Sequence, residues 1–137
     1  MKRTLRHVIV GGAATALILL TAQAALAFTR QQLNTCRGKA DVAPDLRIGA
    51  CGVIIDGTHI KKLKAEAYTE RGKAYRALSK YDLAIADFDQ AISLNGKDAD
   101  AYYNRGLTFR DRGDTDRAVQ NLEQAVTYNK RNAPALN

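Results

Sequence analysis

Few residues of this chain could do chemistry, and they are scattered. It has two histidines, His7 and His59, so no histidine pair for a metal can form once His7 is set aside in the apolar leader described below. Ser79 and Ser93 would need His59 beside them to act as nucleophiles, and both stand at positions that a helical repeat accounts for. Asp111, Asp114 and Asp116 cluster around Gly113, but the closing glutamate and spacing of a calcium loop are absent. Gly11-Gly12 and the stretch Gly49 to Gly57 lack the Gly-Lys-Ser/Thr ending of a phosphate loop. Lys61, Lys62 and Lys64 read as a solvated helix face that an acidic partner could also use. The expectation is no catalytic residue, no metal, no cofactor and no enzymatic activity.

Cys36 and Cys51 are the only cysteines. An even pair in an oxidising compartment usually closes, and a ring of about 15 residues is rated at about 3 kcal/mol by the chain-entropy account. The competing readings are two free thiols or a redox pair. A redox pair favours a tight Cys-x-x-Cys, whereas fourteen residues intervene here. A structural Cys36–Cys51 disulfide is therefore expected.

The compartment is argued from residues 1–27. Lys2, Arg3, Arg6 and His7 precede the uncharged run from Val8 to Phe28, which holds Ala25-Leu26-Ala27. A basic head, an apolar middle and a small-x-small end read as a secretory signal peptide cleaved after Ala27. A retained anchor is the competitor, but the apolar run barely reaches the ~20 residues a spanning helix needs, and Gly11, Gly12, Thr15, Thr21 and Gln23 thin it. The mature part is expected to be periplasmic or secreted and off the membrane. The whole chain carries 21 basic and 14 acidic residues for a net +7, whereas residues 28–137 keep 18 basic residues against 14 acidic. That mild excess does not point to nucleic acid.

The elements that position everything else follow from a 34-residue period. Residues 65–98 and 99–132 align with 11 identities in 34 positions. These are Ala65/Ala99, Ala67/Ala101, Tyr68/Tyr102, Arg71/Arg105, Gly72/Gly106, Arg76/Arg110, Asp82/Asp116, Ala84/Ala118, Gln90/Gln124, Ala91/Ala125 and Asn95/Asn129. Each block splits into two amphipathic helical segments, interrupted at Ser79-Lys80 and at Gly113-Asp114. Asp98 and Asp114 stand where N-caps belong, and Asn95-Gly96 is expected to end a helix with Gly96 left-handed. Gly72, Gly106, Ala84 and Ala118 are expected where paired helices approach closely, with Tyr68, Tyr75 and Phe88 filling the spaces between them. A fixed internal period signals a solenoid in which each unit buries its apolar face on the next.

This pattern resembles the tetratricopeptide repeat. Tyr68, Gly72, Tyr75, Ala84, Phe88 and Ala91, then Tyr102, Gly106, Phe109, Ala118, Leu122 and Ala125, occupy that family's six marker positions in both blocks. Gly96 and Lys130 replace its proline, and Arg71 and Arg105 stand where leucine is common, which would put a cation at an inter-repeat edge. The resemblance implies an all-α fold, a short α-solenoid of helix–turn–helix units. Residues 28–64 do not repeat cleanly: Thr29 to Gln32 could cap a short helix, Pro44-Asp45 could start another to Asp56, and Gly57-Thr58 breaks it. They read as a degenerate cap, with 133–137 a tail. The beginning also bears a weak likeness to small exported bacterial proteins of this family.

The resemblance further implies a concave groove lined by Glu66, Thr69, Glu70, Lys73, Arg76 and Ala77 in the first block. In the second block it is lined by Asp100, Tyr103, Asn104, Leu107, Arg110 and Asp111. Asn104 would hold a peptide backbone, and Lys73, Arg76 and Arg110 a carboxylate. The implied function is a scaffold binding a peptide or protein segment. The alternative is a homo-oligomer or subunit that associates through an uncapped last repeat, at Leu122, Val126 and their neighbours.

Overall fold

The computed structural model describes residues 29–38 and 41–132, with the side chains of 131 and 132 excepted. The signal peptide and tail expected at 1–27 and 133–137 lie outside the described residues. Of the two units into which the chain divides, Met1–Gln31 and Gln32–Asn137, the second holds the helical array.

Helix α1 covers 29–36. Helix α2, Pro44–Gly57, opens with a proline in its first turn, where the missing N–H costs nothing, and with Asp45 facing the positive end of the helix dipole. It stops where Thr58 turns extended. Helix α3, Lys61–Ala77, begins four residues before the repeat block, because nothing between Lys61 and Ala65 breaks a helix. Helices α4 (Tyr81–Leu94), α5 (Ala99–Arg112) and α6 (Thr115–Asn132) complete the array. No strand occurs among the described residues, and no helix there is long and apolar enough to cross a membrane. Short links make sequential helices neighbours. Thus α3 packs on α4 and α5 on α6, while α5 also rests on both α4 and α3, and α2 on α3.

The first helices are held by a small core. Cys36, Ala50, Cys51, Ile54, Ile55 and Ala67 are buried together, with Leu33, Leu63 and Tyr68 packed against them. Cys36 and Cys51 form the expected disulfide, their Cα atoms 4.8 Å apart.

Within each repeat a glycine lets the two helices meet. A Cβ placed on Gly72 would lie 2.7 Å from Cε1 of Phe88, and one on Gly106 would lie 3.0 Å from Cγ of Leu122. The turns inside the repeats are also equivalent. Ser79 and Gly113, one period apart, are both left-handed, at φ 57° and 95°. Each is flanked by the hydrogen bonds of a Schellman ending: Ser79 N–H to Arg76 O and Lys80 N–H to Tyr75 O, then Gly113 N–H to Arg110 O and Asp114 N–H to Phe109 O. Gly96 differs from expectation, since it is not among the positive-φ glycines. The α4–α5 link is closed by Asn95, whose carbonyl oxygen accepts from Asp98 N–H, and Asp98 in turn caps α5 by accepting from the N–H groups of Asp100 and Ala101. That short route into an extended N-cap leaves no place for a left-handed residue.

A serine at φ 57° carries a Cβ clash that glycine avoids, on the order of 1–2 kcal/mol. Ser79→Gly is therefore expected to stabilise the protein by about 0.5–1 kcal/mol after the entropy that glycine adds to the unfolded chain. Urea unfolding followed by circular dichroism measures it, and a fall in the midpoint would refute the argument.

Candidate interaction surface

The side chains expected to line the groove come from α3 and α5, and most of them bind one another. Glu66 accepts two hydrogen bonds from Arg37. Glu70 is bound by Arg47 at 2.8 Å and by Lys73 at 2.8 Å, and Lys73 reaches on to Asp100 at 2.6 Å. Burial alone would pull the Lys73 ammonium down, but its bonds to Asp100 and Glu70 outweigh that and hold it above its usual range. Arg76 bonds Asp111 at 2.8 Å, and Arg110 also reaches Asp111. Burial pushes the Asp111 carboxyl up, but the two guanidinium groups win and keep it below the usual carboxylate range. A chain of ion pairs thus runs from α2 through α3 to α5 along the expected groove. Its charges hold the leading helices together.

Two expected groove residues are interior. Thr69 is 3% exposed and Asn104 7%, because α5 seats against α3 along this side. The Asn104 amide donates to the Asp100 carbonyl and carboxylate, one turn back in its own helix, so it is turned away from a ligand. Leu107 is half-buried and Ala77 exposed. Arg110 keeps 59% of its side chain in solvent. Tyr103 is 49% exposed.

The cations in place of the family's leucine act within the repeats. Arg71 donates two hydrogen bonds to Asp87, both 2.8 Å, and lies over the rings of Tyr68 and Tyr75. Those bonds raise its pKa despite the opposing cost of burial. Arg105, one period later, bonds Asn121 at 2.7 Å and lies over Tyr102. The same clamp therefore joins the paired helices twice. Arg105 alone also reaches across an inter-repeat edge, to Asp89 on α4.

The open part of the surface lies on the second repeat. Ala99, Asp100, Tyr103, Ala125, Val126 and Asn129 line a shallow, mostly apolar cleft between α5 and α6. Ala99, Ala125 and Asn129 were not anticipated as lining. For Ala99 the signal is the period itself: its counterpart Ala65, and Thr69 opposite Tyr103, are 2% and 3% exposed in the first repeat, where α5 adjoins α3 and α4. Ala125 is buried like its counterpart Ala91, and Asn129 is exposed like Asn95, so only the folded cleft brings them into the lining.

A family model described as TPR repeat matches residues 72–111, and one described as tetratricopeptide repeat matches residues 99–132. Residues 72–132 thus carry tetratricopeptide repeats. Its fold is similar to a solved structure described as the crystal structure of MamA, with 25% identity and a TM-score of 0.58 over 64% of this chain and 50% of that one. A second, described as MamA MSR-1 C2, has 17% identity and a TM-score of 0.60 over 79% of this chain and 55% of that one, a likeness of fold alone. The chain thus spans about half the length of the solved structures it matches. No curated protein matches it. Among the described residues, no group of His, Cys, Asp or Glu side chains is arranged to hold a metal ion.

Proposed function

We propose that this tetratricopeptide-repeat protein is a non-catalytic adaptor that binds a peptide or protein segment through its second repeat. One observation carries the reading: Tyr103 and Val126, 49% and 53% exposed, flank an apolar cleft at positions that the first repeat covers with its neighbouring helix. The ion pairs of Glu66, Glu70, Lys73 and Arg76 favour a structural role for the first-repeat side of the groove. Arg110, largely solvated, is the cation available to a ligand carboxylate. We further propose that the precursor is exported and cleaved near Ala27, as the basic head and small-x-small end of 1–27 suggest. Self-assembly is the second reading. It is favoured by Leu46 and Val53, exposed on α2 at the other end of the array, which could meet Val119 and Val126 of a second copy.

A photo-crosslinking residue at position 103 or at position 73, introduced into the full chain in its own cells, separates these readings. The adaptor reading expects position 103 to capture a distinct polypeptide, with capture lost in Val126→Asp and absent from position 73. Capture of the chain by itself alone would replace that reading with self-assembly. Equal capture from both positions, unaffected by Val126→Asp, would overturn the assignment to the second repeat.

A further inference from the structure

The period allows the outer face of α6 to be compared with a face that already has an occupant. On α4, Asp82, Ile85, Asp89 and Ile92 follow at spacings of three, four and three residues and so share one side of the helix. That side is taken by α5, whose Arg112 bonds Asp82 at 2.7 Å and whose Arg105 bonds Asp89. Ile85 and Ile92 are half-buried there. The two arginines are seven residues apart, as are the two acids, a separation of about 10.5 Å along each helix.

One period on, α6 repeats the stripe as Asp116, Val119, Glu123 and Val126. Here Val119 and Val126 are 49% and 53% exposed, and Val119, Leu122, Glu123, Val126 and Thr127 line a shallow trough. Among the described residues, the carboxylates of Asp116 and Glu123 meet no cation, and no helix covers the stripe. The acid–aliphatic alternation is thus present twice, once filled by an arginine-bearing helix and once open.

We infer that this face of α6 docks an amphipathic helix of a partner protein that carries two basic side chains seven residues apart, bound by Asp116 and Glu123 over Val119 and Val126. The inference rests on the proposed binding role of the second repeat and specifies the partner's chemistry. A second copy does not supply such a pair: its Arg105 and Arg112 are bound by its own Asp89 and Asp82, and the α2 helix that self-assembly would bring to Val119 and Val126 has one basic residue, Arg47, bound to Glu70. Residues 133–137 do not fit either, having no basic side chain. Unlike a carboxylate-gripping groove, the site favours a cationic helix, and its affinity should fall with salt.

The test uses the full chain and a fluorescent 14-residue probe with the sequence of Ala99–Arg112, held helical by a side-chain staple. Binding is read by anisotropy. The probe is expected to bind at least tenfold more tightly than the same probe with Arg105→Glu and Arg112→Glu. Asp116→Lys with Glu123→Lys in the protein should invert that preference. Asp116→Asn with Glu123→Gln, which spares the helix N-terminus a cation, should weaken the basic probe without strengthening the acidic one. Asp45→Lys with Asp56→Lys on α2 should leave both affinities unchanged. Equal binding of the two probes, no binding of either, or affinities within twofold after both α6 substitutions would overturn the inference. If Val126→Asp still abolishes capture from position 103 in that event, the binding role of the second repeat stands and only the basic helix is lost. If Val126→Asp changes nothing, both fall.

Discussion

Phe88→Ala is expected to destabilise the protein by about 3–5 kcal/mol, the range for deleting a buried aromatic ring and leaving its cavity. Phe88 is 0% exposed and fills the space that Gly72 leaves open between α3 and α4. An array of this size has on the order of 5–15 kcal/mol in total, so the variant should sit near the edge of folding. The loss should be larger than at the equivalent position of the second repeat. Leu122 is only half-buried and stands beside the open trough, where neighbours can relax and less apolar surface is lost. Leu122→Ala is expected to cost less than about 2 kcal/mol. The glycines should show the same asymmetry. A Cβ at Gly72 meets a fully buried ring, so Gly72→Ala should lose about 1–3 kcal/mol to overpacking. At Gly106 the two nearest atoms belong to a half-buried leucine with room to move, while the Ala118 carbonyl oxygen at 3.2 Å is fixed backbone, and the helix propensity of alanine, about 1 kcal/mol better than glycine, should offset much of the strain. Urea titrations of the four variants test the ordering, and an equal or larger loss in the second repeat would contradict it.

That asymmetry marks what could be read in the chain before its fold was known. The 34-residue period, the glycine seams, the N-caps at Asp98 and Asp114 and the helix start at Pro44 depend on local rules or on direct repetition, and each was legible. Burial at Thr69 and Asn104 was not, because it is created by α5 settling on α3, and a repeat alignment treats every leading helix as if it faced solvent. Nor were the charge pairings. Arg71 and Asp87 are sixteen residues apart, and only the folding back of α4 on α3 brings them together. The left-handed turn at Ser79 was hidden for another reason. Serine is a poor residue for that conformation, and only its equivalence to Gly113 shows why the chain adopts it: both turns must close the same hydrogen bonds between the same two helices. The groove was legible as a position in the fold and not as a surface, since its charges are spent on neighbouring helices.

Opening the Cys36–Cys51 bond is expected to cost about 3 kcal/mol, because it releases a ring of about 15 residues in the unfolded chain. The first helices have little else to replace it. Helix α1 is far shorter than the ~12–15 residues at which isolated helices become even marginal, so its place depends on Leu33 and on the bond itself. Arg37–Glu66 is largely exposed, and a solvent-screened pair of that kind contributes at most about 1 kcal/mol. Arg47–Glu70 is better shielded but fixes only α2 to α3. Under dithiothreitol, or in the Cys36→Ala, Cys51→Ala double variant, the urea midpoint should fall by about 1–3 M, given slopes of about 1–3 kcal/mol per molar for small proteins. The effect should also be local. Amide exchange should accelerate most through residues 32–57, whose helices lean on the disulfide, and least in α4 and α5, which are packed on both sides by the repeats. A midpoint unchanged after both thiols have been shown to react would mean that Ile54, Ile55 and Ala67 hold the cap unaided, and the bond would then be incidental to the fold. A uniform rise in exchange along the whole array would instead mean that cap and repeats unfold as one unit. That outcome would extend the disulfide's influence to the cleft at Tyr103, making the oxidised state a condition for whatever binds there.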